Sequence, residues 1–462
     1  MMIVRAAVIG APCILWFVSP PDGLAVEAWR LFAIFAAAIV AVVLNAFPIL
    51  TASVLAIAAA VLSGLLSPIK AYAGFANPTI LLIVLAFLVA RSVVKCGLGS
   101  RIGHMVVTRF GASTLGLSYS IFLVDSLIGP AFPSSTARSG VIFPLAFSLA
   151  DAVGAKPGEE RYRRVGGFLM FSGMVSVSLS SALWMTAMVA NPIGAEIAGT
   201  FGVQIGFGSW LLAASVPTLA SIALMPLLLY WIISPELKAT PEAPAAARRA
   251  LAALGPLHRN EKIVLAVFVC MVAMWASAAT LDIDSTAIAF LGLGLLLTTG
   301  ALTLDDIAKQ GDVLATFIWF AVLFTLSSQL NEMGFMGFLG ERLASAMTGW
   351  TASVAGLTLV AAYVVLHYIF VSQTAHLLAL FGVFMDVGVK LGVPAAPLAF
   401  QLLFATDYFA VITPQGAGAN LLFAGSGFLS QRDLYRFGAI VTACNVVLYL
   451  VIGTPWIMFV TR

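Results

Sequence analysis

Charged residues are scarce in this sequence. Only 9% of the 462 residues are Asp, Glu, Lys or Arg, whereas 61% are apolar, and the mean hydropathy is +1.06. A soluble globular protein carries about 25% charged residues, so this chain could not cover a hydrated surface. The composition therefore excludes a soluble enzyme and predicts a polytopic membrane protein. The net charge of +3 and the lack of a continuous basic face exclude nucleic acid as a partner.

Cysteine, histidine and nucleotide-binding motifs are equally sparse. The four cysteines are far apart and form no C-x-x-C pair, which excludes a disulfide framework or a cysteine zinc site. The four histidines lack the spacing of a zinc helix, and no G-x-x-x-x-G-K-[ST] loop occurs. We therefore expect no catalytic residues, no metal and no cofactor. A membrane enzyme, an ion channel and another type of ion antiporter are the alternatives from other classes.

Long apolar runs, in contrast, are abundant. A bilayer core is crossed by roughly 20 apolar residues in a helix, and about eleven runs are predicted to be such spans. Two further stretches, Leu115–Val153 and Trp350–Val389, are much longer and are interrupted by small polar residues, which predicts two re-entrant hairpins in an all-α fold. The predicted spans are Ala6–Val18, Leu31–Leu44, Ala46–Leu66, Pro78–Val94, Gly166–Ile197, Trp210–Ile233, Ile263–Ala279, Thr286–Thr299, Thr316–Leu330, Ala396–Leu422 and Phe437–Val460.

The basic residues predict the orientation of the chain. If the N-terminus is cytoplasmic and the C-terminus is outside, most of the 23 Lys and Arg residues fall in cytoplasmic loops, as the positive-inside rule requires. Arg138 alone belongs to neither side, because it lies within the first hairpin. The segment from Pro235 to Arg259 contains Pro, Ala and paired arginines, and it is predicted to be a cytoplasmic linker between two halves.

The two halves repeat each other. Gly97 matches Gly334, and the middle of the first hairpin, FPSSTAR at 132–138, matches FVSQTAH at 370–376 with nearly the same offset. The intervening spans place the two hairpins on opposite sides of the membrane. This pattern predicts an inverted-topology repeat, the architecture of many secondary transporters, with the substrate site at the interface of the repeats.

The two hairpin tips are the predicted anion site. Non-helical backbone is tolerated in hydrocarbon only where protein or a water-filled cavity satisfies it, and a helix N-terminus offers partial positive charge to an anion. The alternative, in which Ser and Thr only hydrogen-bond between helices, is disfavoured because both copies are in register. A second polar break follows each hairpin. The candidate substrate-binding residues are Ser134, Ser135, Thr136, Ser372, Gln373 and Thr374 at the tips and Asn191, Thr413, Pro414 and Asn420 at the breaks, and the candidates for an ion site or an unwound loop are Ser180, Ser181, Thr186, Gly416 and Gly418.

At these motifs the sequence resembles the divalent-anion/sodium symporter (DASS) family over nearly the whole chain. It is most similar to the branch of bacterial citrate/succinate antiporters and plastid 2-oxoglutarate/malate translocators, which share the Ala-Arg and Ala-His ends of the tips. The resemblance implies a homodimer in the inner (plasma) membrane, an elevator mechanism and di- or tricarboxylate substrates. It divides the chain into scaffold helices in 1–109, a hairpin with transport helices in 110–234, the linker in 235–260, scaffold helices in 261–349, and a hairpin with transport helices in 350–462.

The resemblance leaves the coupling ion open. The family has a Ser-Asn-Thr signature at each tip, but here Ser135 and Gln373 replace the Asn that helps to bind sodium. Arg138 and His376 follow the tips, and we expect them to compensate the charge of the substrate in place of sodium, which predicts sodium-independent exchange. The alternatives are a sodium-coupled symporter of dicarboxylate or sulfate, and a neutral His376 that only caps its hairpin.

Two acidic residues also lie at membrane depth, Asp125 in the first hairpin and Asp407 in the span before Pro414. Neither has an acidic counterpart in the other half. We therefore expect them to be local charge partners of Arg138 or His376, with carriage of a proton as the alternative. Gln415, in the second break, has no assigned partner.

Overall fold

The described part of the chain is built from α-helices. The computed structural model describes residues 14–44, 46–370 and 372–462, and in these ranges it contains no strand beyond one isolated β-bridge between Ser113 and Ala239. Eight helices of this part are long and apolar enough to cross a membrane, and three shorter apolar helices accompany them. The predicted all-α polytopic fold is confirmed. The predicted first span, Ala6–Val18, lies mostly outside the described residues, as does Val371 of the second tip.

The helices with seven or more residues are numbered here in chain order. They are α1 (Val26–Val43), α2 (Ile49–Leu62), α3 (Pro78–Cys96), α4 (Leu98–Phe110), α5 (Thr114–Ile128), α6 (Ser135–Ala152), α7 (Arg163–Leu183), α8 (Ala190–Gly199), α9 (Phe207–Ile233), α10 (Glu242–Leu254), α11 (Arg259–Leu281), α12 (Ser285–Thr298), α13 (Gly311–Glu332), α14 (Phe335–Ala346), α15 (Ala352–His367), α16 (Gln373–Lys390), α17 (Ala395–Tyr408), α18 (Gln431–Leu448) and α19 (Thr454–Val460).

The order of these helices repeats between the halves, with α3 to α7 corresponding to α13 to α17. In each half a helix pair, α5 with α6 or α15 with α16, is interrupted at the polar tip. The next helix, α7 or α17, ends at a polar break that contains one 3-10 turn, Met185–Ala187 or Pro414–Gly416. Both predicted interruptions and both predicted breaks are present. The first break was expected to begin at Ser178, but α7 continues to Leu183 and the break begins at Trp184.

Two ion pairs show that corresponding helices of the halves run in opposite directions. Lys95, at the end of α3, contacts Asp306, which precedes α13 (Nζ–Oδ2 2.6 Å). Lys70, which precedes α3, contacts Glu332 at the end of α13 (Nζ–Oε2 2.9 Å). The start of each helix is therefore beside the end of the other, as an inverted repeat requires. The repeat also relates the two ion pairs to each other. In each ion pair a lysine of the first half contacts an acidic residue of the second half.

Helix α7 lies at the centre of the packing. Its residues are buried from Val165 to Leu183, and α5, α6, α9 and α17 surround it. Aromatic rings from the second half enter notches on α7, because a Cβ at Gly166 would lie 2.1 Å from the ring of Phe428 and one at Gly173 would lie 2.5 Å from that of Phe423. Small residues at helix contacts allow such close approach within a membrane. The last helix before the first break is thus held by both halves.

The predicted linker between the halves contains a packed helix. Residues Glu242–Leu254 form α10, which lies against α4. Arg101 of α4 fixes the end of this helix, because its Nη1 donates to the carbonyl of Gly255 at 2.8 Å while its Nε contacts Glu261 Oε1 at 2.6 Å. A flexible segment of this composition would not bury such a pair, and the connection between the halves is therefore a structural element.

Replacing Glu261 by Gln is expected to lower the melting temperature of the detergent-solubilised protein much more than replacing Glu332 by Gln. The Arg101–Glu261 pair is buried, and breaking a buried pair costs about 3–5 kcal/mol. The Lys70–Glu332 pair is more than half exposed, and such pairs contribute roughly 0–1 kcal/mol. Equal shifts in the two variants would contradict the structural role of the Arg101 pair.

Candidate functional site

Each hairpin tip is the capped N-terminus of a helix. Ser134 caps α6 by accepting a hydrogen bond from the Ala137 N–H at 3.2 Å, and Ser372 caps α16 by accepting one from the Ala375 N–H at 3.3 Å. The backbone angles of the two serines agree closely, with φ/ψ of −137°/123° and −133°/124°. A serine at this position favours helix initiation because its hydroxyl satisfies an N–H that has no intrahelical partner. The matched motifs therefore give matched structures.

Both tips face one cavity of about 500 Å³. Its wall is formed by tip residues from both halves, by Met188 and Val189 of the first break, by Gly418 of the second break, and by side chains of α3 and α13. This arrangement brings together the six predicted tip residues and Gly418. The lining residues are Phe87, Ala90, Arg91, Val94, Phe132, Pro133, Ser134, Ser135, Thr136, Ala137, Met188, Val189, Gln310, Asp312, Val313, Thr316, Phe320, Ser372, Gln373, Thr374 and Gly418.

The cavity has the chemistry of an anion site. The first intrahelical hydrogen bonds of α6 and α16 are donated by the N–H groups of Arg138 and His376 to the backbone carbonyls of Ser134 and Ser372. The N–H groups of the first helical residues precede these bonds and have no acceptor in the helix. Two helix N-termini thus direct partial positive charge at the same space, together with serine and threonine hydroxyls that can donate to carboxylate or sulfate oxygens.

Gly418 joins the first tip to the second half. A Cβ on this glycine would lie 2.8 Å from Thr136 Oγ1, which is too close for the contact to persist unchanged. Glycine therefore permits the backbone of the second break to approach the first tip. The cavity is built across the interface of the two repeats, where the sequence predicted the site.

Arg138 does not lie on the cavity wall. Its guanidinium is fully buried behind the first tip, where Nε contacts Asp125 Oδ1 at 2.8 Å. Its Nη1 donates to the Ala187 carbonyl at 2.9 Å, and its Nη2 donates to the Val177 carbonyl and to Ser181 Oγ. The expectation that Asp125 is a local charge partner is confirmed. The structure does not place Arg138 at the cavity where it was expected to compensate the charge of the substrate, because its charge is paired with Asp125 and its donors are directed at α7 and at the first break.

His376 also points away from the cavity. Its Nε2 lies 3.1 Å from the Tyr363 carbonyl, and its ring is 5.0 Å from that of His367, between centroids. The basic residue that reaches the second break is His367, whose Nε2 donates to the Gly416 carbonyl at 2.9 Å. Gly416 and Ala187 hold equivalent positions, at the end of the 3-10 turn in each half. The counterpart of Arg138 at the breaks is thus His367, which the motif alignment did not identify.

The two predicted asparagines hold the breaks together. Asn191 Nδ2 donates to the carbonyls of Ser181 and Trp184, at 2.9 and 3.3 Å. Asn420 Nδ2 donates to those of Ala410 and Thr413, at 2.7 and 3.1 Å. In both halves the acceptors are ten and seven residues before the asparagine. The predicted equivalence of Asn191 and Asn420 is therefore real, but neither side chain lines the cavity, and their contacts replace backbone bonds lost in the unwound segment.

The remaining candidates lie near the breaks and outside the cavity wall. Ser180 Oγ donates to Asp125 Oδ2 at 2.6 Å, and Thr186 Oγ1 donates to the Pro130 carbonyl at 3.0 Å. Ser180 and Ser181 still belong to α7, whereas Thr186, Pro414 and Gly416 lie in the unwound turns. Thr413 precedes the second turn, and Gln415 is exposed.

Asp407 is the other buried acid of this region. It is fully buried near the end of α17, and both of its carboxylate oxygens lack a hydrogen-bond partner among the described residues. Ser178 Oγ instead donates to its backbone carbonyl at 2.6 Å. The expectation that Asp407 pairs with Arg138 or His376 is not met, because no ion pair to either is formed in the described part of the chain.

The sequence reasoning missed the wall opposite the tips. Arg91, Gln310, Asp312 and Thr316 line the cavity from α3 and from the start of α13. Arg91 is one of the basic residues that the positive-inside rule assigns to the cytoplasmic side. The signal that could have identified it is its position inside an apolar helix, four residues before Lys95.

Replacing Asp125 by Asn is expected to lower the melting temperature far more than replacing Asp407 by Asn. The first change leaves the Arg138 guanidinium buried without its counter-ion, at a cost of about 3–5 kcal/mol. The second removes a carboxylate that has no partner. Both aspartates are fully buried and receive the same substitution, so thermal unfolding in detergent compares them directly. A larger loss for Asp407→Asn would contradict these assignments.

The chain matches a known family over almost its full length. Residues 2–461 match the family described as the sodium:sulfate symporter transmembrane region. The crystal structure of the Alcanivorax borkumensis YdaH transporter has a similar fold, with a TM-score of 0.58 at 15% identity over 85% of this chain and 87% of that chain.

Curated relatives span the same length. YflS of Bacillus subtilis (strain 168), named provisionally as a malate transporter, is 38% identical over 96% of this chain and 93% of its own. Dicarboxylate transporter 1, chloroplastic, of Spinacia oleracea is 35% identical over 96% of this chain and 79% of its own. Inner membrane protein YbhI of Escherichia coli (strain K12) is 31% identical over 97% of this chain and 96% of its own. The chain therefore belongs to the sodium:sulfate symporter family, the divalent-anion/sodium symporters that its tip motifs resemble, and it is a membrane transport protein and not an enzyme.

Proposed function

We propose that this protein exchanges dicarboxylates across the membrane and binds them in the cavity between the two tips. The observation that carries the proposal is the meeting of two hydroxyl-rich helix N-termini, one from each repeat, in a single cavity of about 500 Å³. Two separated sources of partial positive charge suit a molecule with two carboxylates. Relatives that match along the whole chain are named as dicarboxylate transporters, which supports this class of substrate.

Exchange in this proposal does not need sodium. In the sodium-coupled members that the sequence resembles, tip asparagines and nearby carbonyls bind the cation. Here Gln373 stands at one such position, and its amide donates to the Thr406 carbonyl at 2.8 Å. The equivalent carbonyls of Ala187 and Gly416 already accept hydrogen bonds from Arg138 and His367. Basic side chains thus already donate to one backbone carbonyl in each break, and a mobile cation there would have to compete with them.

Exchange without a mobile cation is expected to be obligatory. In an empty carrier the N–H groups of both tips would have to cross the membrane interior without an acceptor, and unsatisfied backbone groups there cost several kcal/mol each. A bound dicarboxylate satisfies these groups in both directions of transport. The charge of Arg138 does not enter this balance, since Asp125 pairs with it.

The proposal includes movement of the tips relative to the opposite wall. The tips belong to α6 and α16, whereas the facing side chains belong to α3 and α13. The family resemblance supports an elevator, in which the hairpins and breaks move against these two helices, and a homodimeric assembly. The positive-inside rule supports a cytoplasmic N-terminus and an external C-terminus. In this orientation the end of α3 that carries Arg91 and Lys95 is cytoplasmic.

Asp407 favours one second candidate, a sodium-coupled symporter of dicarboxylate or sulfate. Both oxygens of this buried carboxylate lack a partner among the described residues, and a cation could neutralise them. The two candidates differ in whether an ion gradient alone can drive uptake.

Counterflow in proteoliposomes distinguishes them. Vesicles loaded with malate are expected to take up labelled malate at the same rate in sodium and in choline medium, and vesicles without internal dicarboxylate are expected to take up none. A screen of internal succinate, citrate, 2-oxoglutarate and sulfate identifies the preferred counter-substrate. Uptake into substrate-free vesicles that follows an inward sodium gradient would overturn the exchange proposal in favour of the symporter.

Replacing Gly418 by Ala is expected to weaken malate binding about tenfold or more, because one hydrogen bond to a charged group is lost. The new Cβ displaces Thr136 from its place on the wall. Gly140, in α6 itself, has open space where a Cβ would stand, so Gly140→Ala is the matched control. Binding is measured from the concentration dependence of the malate-induced rise in melting temperature. Unchanged binding in the Gly418→Ala variant would remove this contact from the site.

A further inference from the structure

The wall of the cavity carries few charges. Among the residues that line it, only Arg91 and Asp312 are charged, and both lie on the side opposite the tips. Arg138 and His376 are buried elsewhere, as described above. An anion in this cavity therefore meets partial positive charge from the two helix N-termini and a full positive charge from Arg91 alone.

Arg91 is unpaired among the described residues. Its Nε is buried without a hydrogen-bond partner, and no ion pair of its guanidinium is formed with any described residue, Asp312 included. Arg101 and Arg138, in contrast, form ion pairs with Glu261 and Asp125 and donate hydrogen bonds to backbone carbonyls. A guanidinium with free donors beside a cavity is suited to bind a carboxylate through two parallel hydrogen bonds.

The repeat does not reproduce this charge on the other side. The offset that relates Gly97 to Gly334 relates Arg91 of α3 to Ser328 of α13. Ser328 lines a second cavity, of about 250 Å³, near the opposite end of the helix pair, together with Asn331 and Glu196. Glu196 there accepts a hydrogen bond from Thr79 Oγ1 at 2.9 Å. This second cavity is lined by no basic side chain and carries an acid.

We propose that Arg91 is a specificity-determining residue that binds the second carboxylate of the substrate on one face of the membrane only. The inference rests on the proposed function, because it requires a dicarboxylate held at the tips. While each of the two tips holds one carboxylate, the guanidinium of Arg91 also binds the second carboxylate, from α3. Once the tips move toward the opposite cavity the substrate leaves Arg91 behind and meets Ser328. Affinity and the preference for dianions are consequently greater on the Arg91 face.

Sided transport measurements test this inference. Malate exchange is followed in right-side-out and in inverted membrane vesicles. In each preparation the malate concentration outside the vesicle is varied while the concentration inside is kept saturating, so that each face of the protein is measured in turn. Arg91→Gln is expected to raise the half-saturating malate concentration about tenfold or more on the Arg91 face, because a charged hydrogen-bond partner is lost. On the other face the expected rise is less than about twofold. The maximal rate and the melting temperature of Arg91→Gln stay close to those of the parent protein. The half-saturating malate concentration of Arg91→Lys on the Arg91 face is expected to lie between those of the parent protein and Arg91→Gln.

Arg109→Gln is the matched control, since Arg109 is an exposed cation at the end of α4 that does not line the cavity. Lactate competition supplies a second readout, because loss of the second carboxylate contact should reduce the advantage of malate over lactate on the Arg91 face. An Arg91→Gln variant with parental half-saturation on both faces, or with equal losses on both, would overturn the inference while malate exchange itself stands. Failure of the parent protein to exchange any dicarboxylate would instead refute the proposed function and the inference with it.

Discussion

Backbone N–H and C=O groups that lack helical hydrogen bonds inside the membrane must find partners within the protein, and most of the distinctive features of this structure follow from that constraint. The two tips and the two breaks are the places where helices stop at membrane depth. Ser134 and Ser372 satisfy N–H groups at the tips, whereas Asn191 and Asn420 satisfy carbonyls at the breaks. The N–H groups of the first helical turns at the tips have no acceptor within their helices, and these turns, which face one cavity, are the substrate-binding surface of the proposed exchanger.

The two repeats meet this constraint with the same geometry but with different charges. Equivalent carbonyls at the breaks are covered by a permanently charged arginine in one half and by a histidine in the other. The arginine requires Asp125 as a buried counter-ion, and the histidine requires none. A similar difference appears on the opposite wall, where Arg91 corresponds to Ser328. An inverted repeat with symmetric backbone and asymmetric charge can move a substrate through one site while treating the two faces of the membrane differently.

Patterns within the chain were sufficient to predict the backbone of the site. The tip motifs specify helix starts through their serines, and proline and glycine at 414–418 end α17 before its apolar run ends. The directions of long side chains could not be predicted in this way. Arg138 and His376 follow the tips at matching positions, but each turns toward whichever helix offers an acceptor, and that depends on packing around α7 and α15. His367 was missed because it reaches the second break from the end of α15, two helices earlier in the chain. Arg91 was missed because its membrane depth is set by tertiary structure.

The position of a bound substrate tests the central claim most directly. A structure determined with bromosuccinate in place of substrate, with the bromine located by its anomalous signal, should show the ligand between Ser135 of the first tip and Thr374 of the second, with carboxylate oxygens at the N–H groups of both helix N-termini. A ligand that touches only one tip, or that lies in the cavity beside Glu196, would contradict the assignment of a single site shared by the two repeats.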